Sequence, residues 1–539
     1  MRGVHVTKVF ETLKGEEMQA SRGVACPGGR ADGVAIAGND LGQRTLAGGA
    51  WLLASQLTLK GINLVQVTIL ARFLDAKAFG LMDIGNLFIF FVGVFTFTGF
   101  QFAIIQKPNL ESDDVHTAWW VLLGRSIVIA MTLAFLAKPI ANLYRSPELV
   151  PILLALAFMQ PILGLVSASP ILFQRNMEYH KIFKLDVGSG AVGLIVGIIA
   201  ALILRNVWAL ILAFLATSVS YLLLSYMLHP YRPRWRFDGA RFRAFSHYGG
   251  WILGSSIFSF ALCQGPGAFG SVMFGVAALG LYQMAARFAQ FPYNYLSEVI
   301  RSALMPAYSQ IQGDKDRLSK AFLRTIGLAF TLITGITTLV VLGLPRLLTL
   351  SLGARWIESV SLVPVLAVAG GGQALLRTGY PLYLATGRPS FQFALDLVQT
   401  VIMIGLLFPL AKLFALAGLP FAMIGGMVCS LPIWWLGIRK CTTCTFKDVF
   451  IQFVPAAIGM GAIMVVFFIG QVVTISHAAS VISIIWHLGL IGASAFAFFK
   501  TIDIAQHFVP EYSALTDLKS IFRKRGQRSY RQLRKTADN

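Results

Sequence analysis

The sequence predicts an all-α membrane protein, a bundle of about fourteen transmembrane helices with almost no soluble mass. Three observations predict it. Mean hydropathy of +0.70, with 56% hydrophobic against 13% charged residues over 539 positions, leaves more apolar surface than one aqueous core can enclose, so the solvent for most of the chain is lipid. Apolar runs long enough to cross about 30 Å of hydrocarbon as helices recur from Leu46 to the Lys500 region. Lysine and arginine concentrate in alternate connections.

In order, the runs give spans at 46–70, 84–106, 117–137, 150–173, 183–204, 208–229, 247–270, 285–308, 321–344, 358–384, 391–411, 416–438, 449–474 and 481–500. The first ~44 residues hold no apolar stretch of signal-peptide length, so the first helix is expected to act as its own insertion signal. Pro161, Pro170, Pro266, Pro292, Pro364 and Pro381 fall inside spans, where each removes one backbone hydrogen bond and permits a kink.

Of the 45 Lys and Arg, 32 fall on the face shared by both termini and eight on the other. Retained positive charge marks the cytoplasmic side, so both termini are expected there, with the segments near Arg236 and Lys315. Those near Arg145 and Arg355 then lie outside. The net charge of +21 is topology plus attraction to anionic lipid headgroups, and it makes no case for nucleic acid. Five cysteines are too few and scattered for a disulfide framework. Cys441-Thr-Thr-Cys444 lacks the second pair or nearby histidines that a zinc or redox site wants. Nothing calls for a metal or a cofactor, and no GxxxxGK nucleotide loop is present.

A faint internal repeat decides the architecture. At an offset of 200, Gly49–Ser55 lies over Gly249–Ser255 and Ala78–Leu81 over Ala278–Leu281, and Phe88 and Phe91 meet Phe288 and Phe291. At 210, Phe183–Asp186 lies over Phe393–Asp396, which requires one short insertion in the second half. An even number of helices per repeat makes the halves parallel. The expected plan is a cytoplasmic tail at 1–44, a six-helix lobe at 45–229, a basic cytoplasmic linker at 230–246, a second six-helix lobe at 247–438, two further helices within 439–500, and a basic cytoplasmic tail at 501–539.

Ionisable groups inside a span cost about 2.5–3.5 kcal/mol each, so they face a cavity or a partner. Gln283, Arg287, Gln290, Asn294, Glu298 and Arg301 recur three or four apart on one helical face. Gln56, Lys60 and Asn63 repeat that theme in the first span, and Arg125 and Arg377 add two more cations. Five cations against one or two acids describe a cavity suited to an anion, with guanidinium forks matched to phosphate oxygens. A Glu298–Arg301 pair that merely neutralises itself is the alternative, and it leaves Arg287 unexplained. Asp186 and Asp396 occupy equivalent places near helix starts; either the helix dipole alone accounts for them, or they serve, with Glu298, a gate or coupling ion.

Several stretches resemble a known family. Phe173-Gln174-Arg175-Asn176-Met177 entering Val187-Gly188-Ser189, then Gly280-Leu281-Tyr282, Pro306-Ala307-Tyr308-Ser309-Gln310-Ile311 and Arg317-Leu318, are similar to segments of the Wzx-type oligosaccharide flippases. These belong to the multidrug/oligosaccharidyl-lipid/polysaccharide (MOP) export superfamily. The resemblance covers roughly residues 45 to 440. It implies a transporter in a bacterial inner membrane that flips undecaprenyl-pyrophosphate-linked repeat units for exopolysaccharide or O-antigen synthesis by alternating access. A cationic cavity would hold the pyrophosphate, with Arg287 and Arg301 as headgroup contacts; Lys60, Arg125, Asn294 and Arg377 rest on position alone. Implied partners are the lipid-linked oligosaccharide, membrane lipids, and polymerase and export machinery. A multidrug antiporter would favour acidic cavity residues; a flippase for lipid-linked peptidoglycan precursors fits the same charge. A membrane polymerase or glycosyltransferase would need an outer catalytic loop longer than the short ones here, so no enzyme is expected.

Overall fold

The structure, a computed structural model, describes residues 54–96, 111–176, 178–234, 237–239, 250–473 and 480–508. The N-terminal tail, residues 509–539 of the C-terminal tail, most of the 230–246 linker and the Glu298 side chain lie outside the described residues. Among those described, every regular element is a helix. They run as α1 (54–73), α2 (Ala76–Phe95), α3 (Ser112–Leu143), α4 (Leu149–Gly164), α5 (Ser169–Arg175), α6 (Tyr179–Leu204) and α7 (Trp208–Met227). The second half holds α8 (Gly250–Phe274), α9 (Val276–Ile311), α10 (Lys315–Leu352), α11 (Ile357–Leu376), α12 (Tyr380–Ala385), α13 (Ser390–Phe414) and α14 (Gly418–Cys441). Then come α15 (Phe446–Ile451), α16 (Phe453–Val473) and α17 (Ser480–Phe508).

Nine stretches among the described residues are long and apolar enough to cross a membrane, ten with the bent pair α4–α5 taken as one. The chain is a multi-pass membrane protein. One of the nine, Ser390–Cys441, is a single apolar stretch by composition, yet it turns at Ala415 so that α14 packs back on α13. α9 and α10, with 36 and 38 residues, are about 54 and 57 Å long and outreach the hydrocarbon, which the 20-residue α2 does not.

Caps and special backbone conformations set the turns. Asp75 caps α2 by accepting from Ala78 N, Asp314 caps α10, and Thr445 and Asp448 form a reciprocal capping box on α15. Gly275 (φ 91°) makes the tight α8–α9 hairpin and Gly353 (φ 91°) the turn after α10, a region where a side chain would be strained. Between helices, where lipid gives no hydrophobic drive, small residues admit large ones. The Phe498 ring on α17 packs against Gly335 on α10 and Gly459 on α16, which docks the last two helices on the second half.

Backbone features recur at the offset of 210. Arg205 (φ 50°) ends α6 and Ala415 (φ 49°) ends α13, both left-handed in φ. Phe173 O accepts from Glu178 N at 2.8 Å, and Tyr383 O accepts from Arg388 N at 2.8 Å. A helix breaks between α4 and α5, with a 52° bend, and again between α11 and α12 at residues 377–379; Pro170 and Pro381 restart the two short helices. The start of the inter-lobe linker is tied down on α3. Tyr231 stacks on His116 with its hydroxyl 2.8 Å from Nδ1, Trp120 Nε1 donates to Arg234 O, and Tyr231 N donates to His229 Nδ1.

Candidate functional site

One end of the bundle is sealed between the halves. Arg72 at the end of α1 donates from Nε to Ser351 O (2.6 Å) and from Nη2 to Leu350 O (2.9 Å), and Trp356 Nε1 donates to Ala71 O. The Trp356 ring also meets Phe79 edge-on. Deeper in, α2 crosses α9 so closely that a Cβ at Gly80 would overlap Val276 O and one at Gly280 would overlap Ala76 O. Glycine is required at both by this approach of backbone to backbone. One turn further, Arg287 on α9 forms an ion pair with Asp83 on α2, which is 7% exposed.

Past this seal lies a cavity of roughly 680 Å³. Its walls come from α2, α3, α4, α5 and α7 of the first half and α8 of the second, so it sits between the halves. Phe90 and Val94 line it seven and eleven residues beyond Asp83, which puts them on the same face of α2 and places the ion pair about 10 Å nearer the sealed end. Arg125 is a cation in its wall. Its guanidinium donates to Gly93 O (3.1 Å) and Thr96 Oγ1 (3.3 Å), and Gly93 leaves it room. Gln160, 5% exposed, also lines the cavity, and its Nε2 has no hydrogen-bond partner among the described residues. A buried donor left unmade is costly, so this amide is poised for an acceptor. Guanidinium and amide, with the hydroxyls of Ser167 and Tyr221, form a polar patch suited to an anion in an otherwise mostly apolar wall.

A smaller annex of roughly 50 Å³ lies within the second half, lined by α8, α9, α11, α13 and α14. Gln290, Asn294, Gln373, Arg377 and Gln399 line it, and Cys263 lines annex and large cavity alike. Gln399 Nε2 donates to Gln373 Oε1, while Gln399 Oε1 has no partner among the described residues. Arg377 stands close enough to Asp396 for their charges to interact, and Asp396 also accepts from Gln392 Nε2 at 2.9 Å.

The structure thus gathers some residues expected from sequence and separates others. Arg125 enters the large cavity; Asn294 and Arg377 enter the annex. Arg287 lines neither, because Asp83 holds it. Arg301 is exposed, fourteen residues along α9 from Arg287 or about 21 Å, too far for both to grip one pyrophosphate. Lys60 is exposed on α1 and lines neither cavity. Asp186 accepts from the buried Ser55 Oγ at 2.9 Å and lies near the cavity residue Tyr221, while Asp396 sits beside the annex. Among residues that sequence reasoning passed over, Asp83, Gln160 and Gln373 matter most. Asp83 fell one residue before the expected span at 84; the two glutamines had a readable signal, a lone amide inside an apolar run.

Cys441 and Cys444 are free and buried between α14 and α15, and burial pushes the Cys444 thiol above its usual pKa. Among the described residues no cluster of His, Cys, Asp and Glu could hold a metal.

Known proteins resemble this chain in sequence and in fold. A family of polysaccharide biosynthesis proteins covers residues 69–361, more than half of the chain. The succinoglycan biosynthesis transport protein ExoT of Rhizobium meliloti (strain 1021) is 25% identical over 65% of this chain and 71% of its own. The lipopolysaccharide biosynthesis protein WzxC of Escherichia coli (strain K12) is 25% identical over 68% of this chain and 74% of its own. Among solved structures, the lipid II flippase MurJ in an inward closed conformation superposes with a TM-score of 0.61 at 12% identity, covering 85% of this chain and 99% of that one. An inward-facing multidrug transporter of the MATE family, in the MOP superfamily, gives 0.54 at 16% identity over 71% and 94%. The chain belongs to the polysaccharide biosynthesis protein family and has the fold of the MOP transporters.

Proposed function

We infer that this protein flips undecaprenyl-pyrophosphate-linked oligosaccharide from the cytoplasmic to the periplasmic leaflet of a bacterial inner membrane, for exopolysaccharide or O-antigen synthesis. The observation that carries this reading is the cavity between the halves, closed at one end and walled by Arg125 and by the Gln160 amide, whose Nε2 has no partner among the described residues. A pyrophosphate offers several anionic acceptors to such a wall, while the isoprenoid tail stays in lipid. The names of ExoT and WzxC, a transport protein and a lipopolysaccharide biosynthesis protein, point to the same class of cargo.

Positive charge on the opposite loops orients the sealed end toward the periplasm, with both termini cytoplasmic. Transport follows by alternating access, with the α2–α9 crossing and the Asp83–Arg287 pair parting while the other end closes. The protein acts as a carrier and makes or breaks no glycosidic bond. Asp186 and Asp396, each hydrogen-bonded near one of the two cavities, are the gating or ion-coupling groups of this scheme.

The test is deletion of the gene in its host, scoring surface polysaccharide and the leaflet in which lipid-linked repeat units accumulate. Loss of surface polymer with repeat units trapped on the cytoplasmic side, restored by the wild-type gene and not by Arg125→Gln, is the expected result. A deletion strain with normal surface polymer would overturn the reading.

A further inference from the structure

The two cavities are built on equivalent walls. On α2 and α9, at an offset of 200, Phe90 and Val94 of the large cavity correspond to Gln290 and Asn294 of the annex. On α4 and α11, at 210, Leu163 corresponds to Gln373. Both offsets are those of the sequence repeat, and the second is that of the repeated helix breaks. Wall for wall, three apolar positions of the first half are therefore carboxamides in the second. The space differs as well, since Gly93 in the large cavity corresponds to Tyr293 in the annex, although Gln160 of the large cavity runs the other way, with Gly370 as its counterpart. Amides in a membrane interior are expensive unless they meet partners, so three such replacements around one small cavity indicate a ligand.

A carboxamide carries a donor and an acceptor side by side, and so does each hydroxyl of a sugar, so a group of carboxamides matches neighbouring hydroxyls of a pyranose. Gln399 Oε1, on a residue 3% exposed, is an acceptor without a donor among the described residues. The wall also has no strong claim on an anion, because the charge of Arg377 interacts with that of Asp396. Its size suits the edge of one ring, and Cys263 borders both cavities, so the annex lies beside the large one.

We propose that the annex is a sugar subsite: Gln290, Asn294, Gln373 and Gln399 hold hydroxyls of an uncharged pyranose next to the lipid carrier while the Arg125 cavity holds the pyrophosphate of the same molecule. This rests on the flippase reading and adds to it a division of labour, in which the first half recognises what all such cargo shares and the second half reads the sugar. A site built around hydrogen bonds to hydroxyls discriminates strongly against cargo that lacks them, because its own buried amides would then stand unpaired.

Native mass spectrometry of the purified full chain tests it, with undecaprenyl pyrophosphate and its glucosyl and galactosyl conjugates as probes. In the wild type at least one conjugate binds about 10-fold tighter than the bare carrier, the equivalent of about 1.4 kcal/mol. Gln373→Leu, and separately Asn294→Leu at a position exposed to the cavity and tolerant in folding, abolish that preference and leave the bare carrier's affinity as it was. Arg125→Gln weakens all three probes alike. Equal affinities for carrier and conjugates in the wild type would overturn the proposal, as would amide variants that weaken all three together. Absence of binding by every probe would overturn the pyrophosphate-carrier reading, and the annex with it.

Discussion

Asp83 and Arg287, 204 residues apart in sequence, are joined as an ion pair between α2 and α9 where the two halves cross. The crossing is nearly symmetric, with Gly80 and Gly280 each pressed on the partner helix, but the charges are not: position 283, the equivalent of Asp83, is a glutamine, and position 87 is a leucine. One asymmetric pair therefore fastens a pseudo-symmetric seam.

Breaking that pair from either side should loosen the seal unequally. Arg287→Gln strands a carboxylate that is 7% exposed, whereas Asp83→Asn strands a guanidinium that is 33% exposed and better able to reach water. Removing one partner of a buried pair costs about 3–5 kcal/mol, so Arg287→Gln should lower the melting temperature in detergent more than Asp83→Asn. The double variant should recover much of the loss, with a coupling of about 1–3 kcal/mol, yet export should stay low. Strictly additive losses would show that the two side chains do not act as a unit.

The glycine crossing predicts a change of access. Gly280→Val puts a branched side chain against Ala76 O and must part α2 from α9, at a cost of about 1–3 kcal/mol for overpacking. The exposed Cys263 in the cavity wall reports on it. A membrane-impermeant maleimide added outside intact cells should spare Cys263 in the wild type and label it in Gly280→Val. Cys444, buried and with its thiol pKa raised, should stay unlabelled in both.

The linker contact should weaken in acid. Burial first, then the Lys181 and Arg232 charges, holds the His229 pKa below its usual 6.5, with Glu178 opposing. A lowered folded pKa means that the undocked state binds the extra proton more readily, so the contribution is complete above about 6.5 and is lost as pH falls through that value toward the folded pKa. Amide exchange across 229–239, corrected for its intrinsic pH dependence, should therefore speed up between pH 7 and 5. His229→Gln should flatten the dependence.

The helical membrane fold was largely legible because its signals are local: apolar run length and a repeat at fixed offsets. Pairing across the bundle was not. Arg287 looked like a ligand contact because its partner lies 204 residues away and sat just outside the expected start of a span. A helical face shows which residues point the same way, without showing what stands opposite. Run length along α9 also hid a distance, since Arg287 and Arg301 share a stripe and yet lie about 21 Å apart. Arg125 and Arg377 were visible as intramembrane cations, whereas Gln160 and Gln373 became informative only once the cavity walls brought them together.

The last prediction concerns Arg125. Its guanidinium is positioned by Gly93 O and Thr96 Oγ1, and a Cβ on Gly93 would stand 3.4 Å from Nη2, an ordinary contact. Gly93→Ala should therefore fold and export nearly as well as the wild type, while a larger side chain there should push the guanidinium aside. Arg125→Lys keeps the charge but loses the planar fork that fits phosphate oxygens, so transport should fall to about a tenth, or about 1.4 kcal/mol. Arg125→Gln should fall much further. Neither change should lower the amount of protein in the membrane, because a side chain on a cavity wall is replaced without opening a void in a packed interface. Export scored against membrane protein level separates the two roles: if the loss in Arg125→Gln merely tracks loss of protein, the arginine is a structural tie between α2 and α3 and the anion belongs elsewhere.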